Sequence, residues 1–253
     1  MPDELGVILR TQALSKSFRG FQAVRDVDLA VATGSIHALV GPNGAGKTTL
    51  FNLLTGFLTP TGGEIFLDDE DVTGLAPEQV VHRGIARSFQ ITSLFEQLSL
   101  REHVELALQG GTRLGYRFWR SERLLGRFRA DAMDLLDQVG LADRAEIPAG
   151  SLAYGQKRAL ELALALALSP KLLLLDEPTA GMGMEDVDRT IELIRRVRAG
   201  RTVVLVEHNM TVVGHLADRV TVLQHGEVLV EGGYAEVRQD PRVITAYLGA
   251  DVA

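Results

Sequence analysis

The 253-residue chain has no cysteine. That excludes disulfides, thiolate metal sites and cysteine nucleophiles. It also lacks an excess of positive charge: 26 Lys and Arg face 33 Asp and Glu, a formal net charge of −7. The basic footprint of broad nucleic-acid binding is missing, and no nucleic-acid partner is expected. No apolar run is long enough to span a bilayer. The most apolar stretch, Ala159 to Leu175, is interrupted by Glu161, Ser169, Pro170 and Lys171. Met1-Pro2-Asp3-Glu4 has neither the basic start nor the apolar stretch of a signal peptide, so a cytoplasmic location is expected. No internal repeat or low-complexity tract is visible. What remains is a 46% hydrophobic chain, enough for a sizeable core in one domain with a subdomain.

The most informative segment is Gly41-Pro42-Asn43-Gly44-Ala45-Gly46-Lys47-Thr48. It fits the G-x-x-x-x-G-K-[ST] phosphate loop completely. Glycines let the backbone approach a polyphosphate without a Cβ in the way. The loop N–H groups then point inward as a nest. The helix predicted over Thr49 to Leu54 offers an N-terminus that favours an anion. Lys47 is expected to reach the β- and γ-phosphates, and Thr48 to ligate Mg²⁺. A Gly-rich turn that merely contains Lys is the bland alternative. The apolar run Ile36 to Val40 just before it, which reads as a buried strand, argues against that.

Around this loop the chain reads as α/β. Strands are predicted at Val7 to Leu14, Val27 to Val31, Ile36 to Val40, Glu64 to Leu67, Leu172 to Leu175 and Thr202 to Val206. Val220 to Leu223 and Glu227 to Val230 form a hairpin about His225-Gly226. Helices are predicted over Pro77 to Arg83, Ser151 to Leu168, Asp186 to Arg198 and Met210 to Ala217. Between Ser99 and Gly140 the pattern turns to long Arg-rich helical segments, so a helical insertion interrupts the core near residues 91 to 165.

Leu172 to Leu175 ends in Asp176-Glu177. Two acids at the C-terminal tip of a buried strand lie where open α/β sheets bind ligands. Asp176 is placed to hold Mg²⁺, directly or through water, and Glu177 to orient and deprotonate an attacking water. A simple loop start is the alternative, since carboxylates at strand ends are common. His208 follows the strand Thr202 to Val206, which should neighbour the Asp-Glu strand. Gln90 closes Ala86-Arg87-Ser88-Phe89-Gln90, where the core gives way to the insertion, and could touch Mg²⁺ or the water. As isolated residues neither is specific. Lys157-Arg158, in the first turn of the helix after Ser151-Leu152-Ala153-Tyr154-Gly155-Gln156, oppose the helix macrodipole. Either that end faces a polyanion, or the two charges are simply solvated.

In this order the pieces resemble an ATP-binding cassette, the nucleotide-binding subunit of ABC transporters, over nearly the whole chain. Gly41 to Thr48 is similar to Walker A, Gln90 to the Q-loop, and Leu152, Ala153, Tyr154, Gly155 and Gln156 to the signature. Leu172 to Asp176 resembles Walker B, Glu177 the catalytic glutamate and His208 the switch histidine. Phe18 stands where the family keeps an aromatic that stacks on adenine. The resemblance also puts Val24, Asn43, Gly44, Ala45, Gly46 and Thr49 at the nucleotide. The implied fold is an α/β P-loop NTPase (RecA-like) core, residues 1–90 and 166–253, with an antiparallel β subdomain. An inserted α-helical subdomain, residues 91–165, carries the signature. Arg87-Ser88-Phe89-Gln90, the Leu-Ala-Tyr-Gly-Gln signature, Ala180-Gly181-Met182, the insertion around Thr112 to Arg129 and the tail Ala246-Tyr247-Leu248-Gly249 are similar to the LivG branch of branched-chain amino-acid importers.

The resemblance implies ATP and Mg²⁺ as cofactors and ATP hydrolysis as the activity. Two cassettes pair head to tail, each ATP lying between one phosphate loop and the opposite signature. The implied partners are a second ATP-binding subunit, identical or related, transmembrane permease subunits and, indirectly, a solute-binding protein. The implied place is the cytoplasmic face of the plasma membrane. Two positions depart from the pattern. Ala153 replaces the usual signature serine, and Gly183 stands at the D-loop aspartate. Arg113, Arg117, Arg120, Arg123 and Arg127 recur at helical spacing and predict one basic face, solvated or near lipid headgroups or the permease. The rival readings are a cassette for lipid or other export, a soluble ABC ATPase and a small-molecule kinase.

Overall fold

The computed structural model describes residues 6–88, 94–111 and 122–248; of residues 111, 122–127 and 248 only the backbone is described. Gln90, Phe89, Arg113, Arg117 and Arg120 lie outside that set, as do the side chains of Arg123 and Arg127.

The chain opens with a long hairpin, β1 (Val7–Phe18) and β2 (Phe21–Ala32). Phe18 pairs with Phe21 across a two-residue turn in which Arg19 and Gly20 both have positive φ, 47° and 90°. Such turns match the right-handed twist of the flanking strands. The hairpin runs further towards its turn than the sequence pattern suggests. At Ala13 (φ 44°) and Asp26 (φ 42°) the register shifts, which breaks the period-two alternation that marks a strand. β4 (Gly62–Leu67) and β5 (Glu70–Asp71) complete an antiparallel sheet in the order β2-β1-β4-β5.

The second sheet carries the chemistry. Its order is β10-β9-β3-β8-β7-β6, built from β3 (Ile36–Val40), β6 (Ile85–Ser88), β7 (Leu172–Asp176), β8 (Thr202–Val206), β9 (Arg219–Gln224) and β10 (Glu227–Gly232). All neighbours are parallel except β9 and β10. Every residue of β3, β7 and β8 is buried. Alternate residues serve two different cores. Ile36, Ala38, Val40, Leu173, Leu175, Val203 and Leu205 face one; Leu39, Leu172, Leu174, Val204 and Val206 face the other. This is why these strands read as unbroken apolar runs rather than as alternation.

The second of these cores packs against α1 (Lys47–Leu54), α2 (Pro77–Arg83) and the antiparallel sheet. The first is covered by α5 (Tyr154–Ala167), α6 (Met184–Val197) and α7 (Met210–Leu216). It continues without a break into α3 (Leu100–Gly111) and α4 (Glu122–Gln138), through Leu100, Val104, Ala132 and Leu136. The helices of the insertion therefore share a core with the sheet. Two short helices, α8 (Tyr234–Gln239) and α9 (Pro241–Leu248), close the described chain.

Candidate functional site

The phosphate loop joins the C-terminal end of β3 to the N-terminus of α1. Its glycines are fixed by close approach. Gly41 has φ 151°, and a Cβ there would lie 2.2 Å from the carbonyl oxygen of Leu223. Gly46, the N-cap of α1, has φ 101°, and a Cβ would lie 2.5 Å from that of Ala23. The hairpin turn at His225-Gly226 braces the loop from behind: Gly226 N donates to Ala45 O at 3.0 Å, and Arg25 N to Gly226 O at 2.8 Å. The hydroxyl of Tyr247, in α9, is buried against the Gly41 backbone; burial raises its pKa, and a hydrogen bond with that backbone opposes the rise.

Lys47 is nearly buried and folds its Nζ back on its own loop, donating to Gly41 O at 2.6 Å and Pro42 O at 3.0 Å. Burial depresses its pKa, while the nearby carboxylates of Glu177 and Asp176 oppose that shift. The ammonium thus stands among carbonyls in a glycine-lined cradle, with the carboxylates of the β7 tip close by. Asn43, Gly44, Ala45, Thr48 and Thr49 lie on the same loop and first helical turn. Val24 is buried in the core behind them. Phe18, 41% exposed at the hairpin end, lies under the Lys16 ammonium at 5.2 Å.

The tips of β7 and β8 are neighbours, as Asp176 pairs with Val206. Glu177 takes φ 45°, unusual for a residue with a Cβ, and donates its N–H to Val206 O at 2.9 Å. Residues 207 to 209 follow β8, so His208 is brought to the same edge as Glu177. Between them lies a residue that motif reading passed over. Glu207 is fully buried, and its carboxylate accepts from Thr179 N (3.1 Å), Thr179 Oγ1 (2.6 Å), His208 N (3.2 Å) and Asn209 N (3.3 Å). The signal was present: an apolar run ending in an acid spells β8 just as it spells β7.

A second overlooked side chain is Arg87, on β6. Its Nη2 meets Asp176 Oδ2 at 2.5 Å and its Nη1 meets Asn52 Oδ1 at 2.6 Å. Thr48 and Asp176 are the described residues suited to a divalent cation. No group of three or more His, Asp or Glu that could hold a metal comes together among the described residues. That donor set fits an ion which takes most of its ligands from phosphate and water.

Leu152 to Gln156 lead into α5. Ala153 is its N-cap and offers no side-chain acceptor; Gln156 Oε1 accepts from Ala153 N at 3.2 Å. Tyr154 donates to Ala180 O at 3.1 Å, and Gly155 lies against the Asp186 carboxyl. The two cations of the first turn divide. Arg158 turns inward, with Nη1 on Glu161 Oε2 at 2.7 Å and Nη2 on the carbonyls of Asp176 and Glu177. Its charge is satisfied inside the chain, so the polyanion reading is not needed to explain it.

A positive-φ glycine loop, a helix N-terminus and an inward-turned lysine at the C-terminal edge of a parallel sheet leave a cradle for polyphosphate. The class is therefore a P-loop nucleoside-triphosphatase. The model of a family described as ABC transporter matches residues 24–180, and one described as branched-chain amino acid ATP-binding cassette transporter matches residues 227–253. Over 252 residues the chain is 38% identical to the high-affinity branched-chain amino acid transport ATP-binding protein BraF of Pseudomonas aeruginosa, covering 96% of this chain and 98% of that one. The lipopolysaccharide export system ATP-binding protein LptB of Acidithiobacillus ferridurans is also 38% identical, over 245 residues, covering 96% and 97%. A crystal structure of the ADP conformation of an ATP-binding cassette superposes with a TM-score of 0.86 at 29% identity, covering 96% of this chain and 99% of that one. The chain belongs to the ABC transporter family, as one of its ATP-binding, ATP-hydrolysing subunits.

Proposed function

We propose that this chain energises uptake of branched-chain amino acids or a related small organic solute, working on the cytoplasmic face of the plasma membrane. The observation that carries import is the match of residues 227–253 to the branched-chain cassette model. The cassette core does not separate the two directions of transport, since an export relative shares the same 38% identity. None of the described helices is long and apolar enough to cross a membrane, so permease subunits would form the pathway and a solute-binding protein would deliver the cargo.

In this reading two cassettes, identical or related, close over ATP, each phosphate loop meeting the opposite Leu152 to Gln156. Residues 1–90 and 166–253 act as the catalytic core and 91–165 as the helical subdomain that moves against it. Lys47 and the loop N–H groups bind the β- and γ-phosphates. Thr48, Asp176 and Gln90 would hold Mg²⁺, which would supply neutralisation of phosphate charge. Glu177 orients and deprotonates the attacking water, His208 stands by the γ-phosphate, and Gln90 links the site to the insertion. Most of the catalysis is positioning and charge stabilisation.

The test is uptake of radiolabelled leucine by cells lacking the chromosomal copy. A wild-type copy restores uptake and a Glu177→Gln copy does not, although Glu177→Gln protein still binds ATP. Leucine uptake that is unchanged by deletion, together with a defective cell envelope, would overturn import in favour of export.

A further inference from the structure

The carboxylate that the metal needs already has a cation on it. Arg87 holds Asp176 through Nη2, at 2.5 Å, and both side chains are nearly buried, 11% and 5% exposed. The arginine is itself anchored. Nη1 donates to Asn52 Oδ1 at 2.6 Å, and the guanidinium lies 5.7 Å from the centroid of the Phe51 ring. Both anchors come from α1, the helix that opens with Lys47 and Thr48. The ion pair thus joins the edge strand β6, the strand tip of β7 and the phosphate-loop helix.

Most of the charges at this corner are paired, and the buried Glu207 carboxylate is held by N–H and O–H donors. Lys47 and Arg87 face Asp176 and Glu177, and Arg158 faces Glu161. A buried carboxylate with no counterion attracts any small cation strongly, because the low local dielectric magnifies the interaction. A carboxylate already paired with a guanidinium does not. A divalent cation approaching Asp176 in the nucleotide-free site meets a guanidinium already on the carboxylate, and it would have to surrender tightly held water to displace it. A triphosphate brings several negative charges and changes that balance.

We propose that Arg87 is the internal counterion of Asp176, and that it bars free divalent cations from the empty site, so that the metal enters only with its nucleotide. Arg87 is then a positioning residue that sets the order of arrival. This inference rests on reading Asp176 as a metal-holding residue. It is read out without nucleotide or transport, so its failure is separable from failure of the uptake reading.

The experiment is titration of the purified full-length chain with Mn²⁺ in the absence of nucleotide, followed by electron paramagnetic resonance of the free ion. Wild-type protein is expected to leave Mn²⁺ free. Arg87→Met should bind it at least about tenfold more tightly, since a unit positive charge has gone from the carboxylate. Arg87→Lys, which keeps the charge, should behave as wild type, and adding Asp176→Asn to Arg87→Met should abolish the gained binding. Arg87→Gln, which keeps a donor but not the charge, carries the same test if Arg87→Met does not fold. A folded Arg87→Met or Arg87→Gln protein with the wild-type Mn²⁺ response would overturn the proposal, as would an Arg87→Lys protein that gains binding.

Discussion

Glu207 shows how much can hang on one side chain. A carboxylate sealed from water needs its lone pairs filled, and four donors from three residues fill them. Those donors belong to two segments: Thr179, just after Glu177, and the loop of His208 and Asn209. One group therefore sets the turn that holds Glu177 at positive φ relative to the turn that presents His208. In Glu207→Gln an amide NH₂ would replace one acceptor oxygen and confront donors. We expect a loss of about 3 kcal/mol in stability, from donors left unsatisfied in the interior. We also expect kcat for ATP hydrolysis to fall about tenfold, the equivalent of 1.4 kcal/mol in the transition state, with little change in KM. Urea melts and steady-state ATPase assays separate the two effects. A destabilised variant with undiminished kcat would reduce Glu207 to a structural part.

At the scale of elements, two helices that begin at the functional face, α5 and α6, are poorly capped, whereas the Asn209 side chain caps α7. α5 starts at Ala153 and α6 at Gly183, and neither N-cap has a side-chain oxygen for the free N–H groups of its first turn. For α5 only half of a capping box remains, the Gln156 side chain reaching back to Ala153 N. Ala153→Ser restores the other half and should raise stability by about 1 kcal/mol, measured as a shift in the thermal midpoint. An unchanged midpoint would mean that the first turn of α5 is already satisfied by other means.

Elements such as β3, β7 and β8 were legible in the sequence because each serves two cores, which leaves an unbroken apolar signature. The phosphate loop was legible because close approach leaves glycine little substitute at Gly41 and Gly46. β6 was not read as a strand, because four residues that include an arginine resemble an edge or a loop; its arginine is accommodated only by Asp176 and Asn52, remote in sequence. α8 and α9 escaped too: six and eight residues give little helical period, and unlike α1 they follow no recognisable loop motif. Arg158 looked exposed in the sequence and is internal, its partners lying on a strand that the helix alone does not reveal.

For the molecule as a whole, stability should carry the mark of a histidine in its central strand. His37 is fully buried in β3, with Nε2 at 2.7 Å from Thr221 Oγ1 and no partner on Nδ1 among the described residues. Burial pushes its pKa down to about 4 from 6.5; Glu231 pulls it up and Arg219 down. The unfolded chain takes up a proton below about pH 6.5, which the native chain refuses until about pH 4. Stability contributed by the neutral ring is therefore complete above pH 6.5 and declines as pH falls towards 4, by about 3 kcal/mol at most. Urea melts between pH 4 and 6.5 should show a shallower pH dependence for His37→Gln than for wild type. Equal slopes would place the acid sensitivity elsewhere.

The bracing of the phosphate loop has a consequence for how the chain is made. β3 is flanked on both sides by strands from the last quarter of the sequence, β8 and β9, and the loop after it rests on Leu223, Gly226 and Tyr247. Synthesis runs from the N-terminus, so the nucleotide site is spelled first and walled last. A nascent chain paused on the ribosome before β8 would carry the whole glycine loop and still lack its supports. Nucleotide cannot stabilise such an intermediate, and the bare apolar β3 must be shielded from neighbouring chains until β8 and β9 have been made.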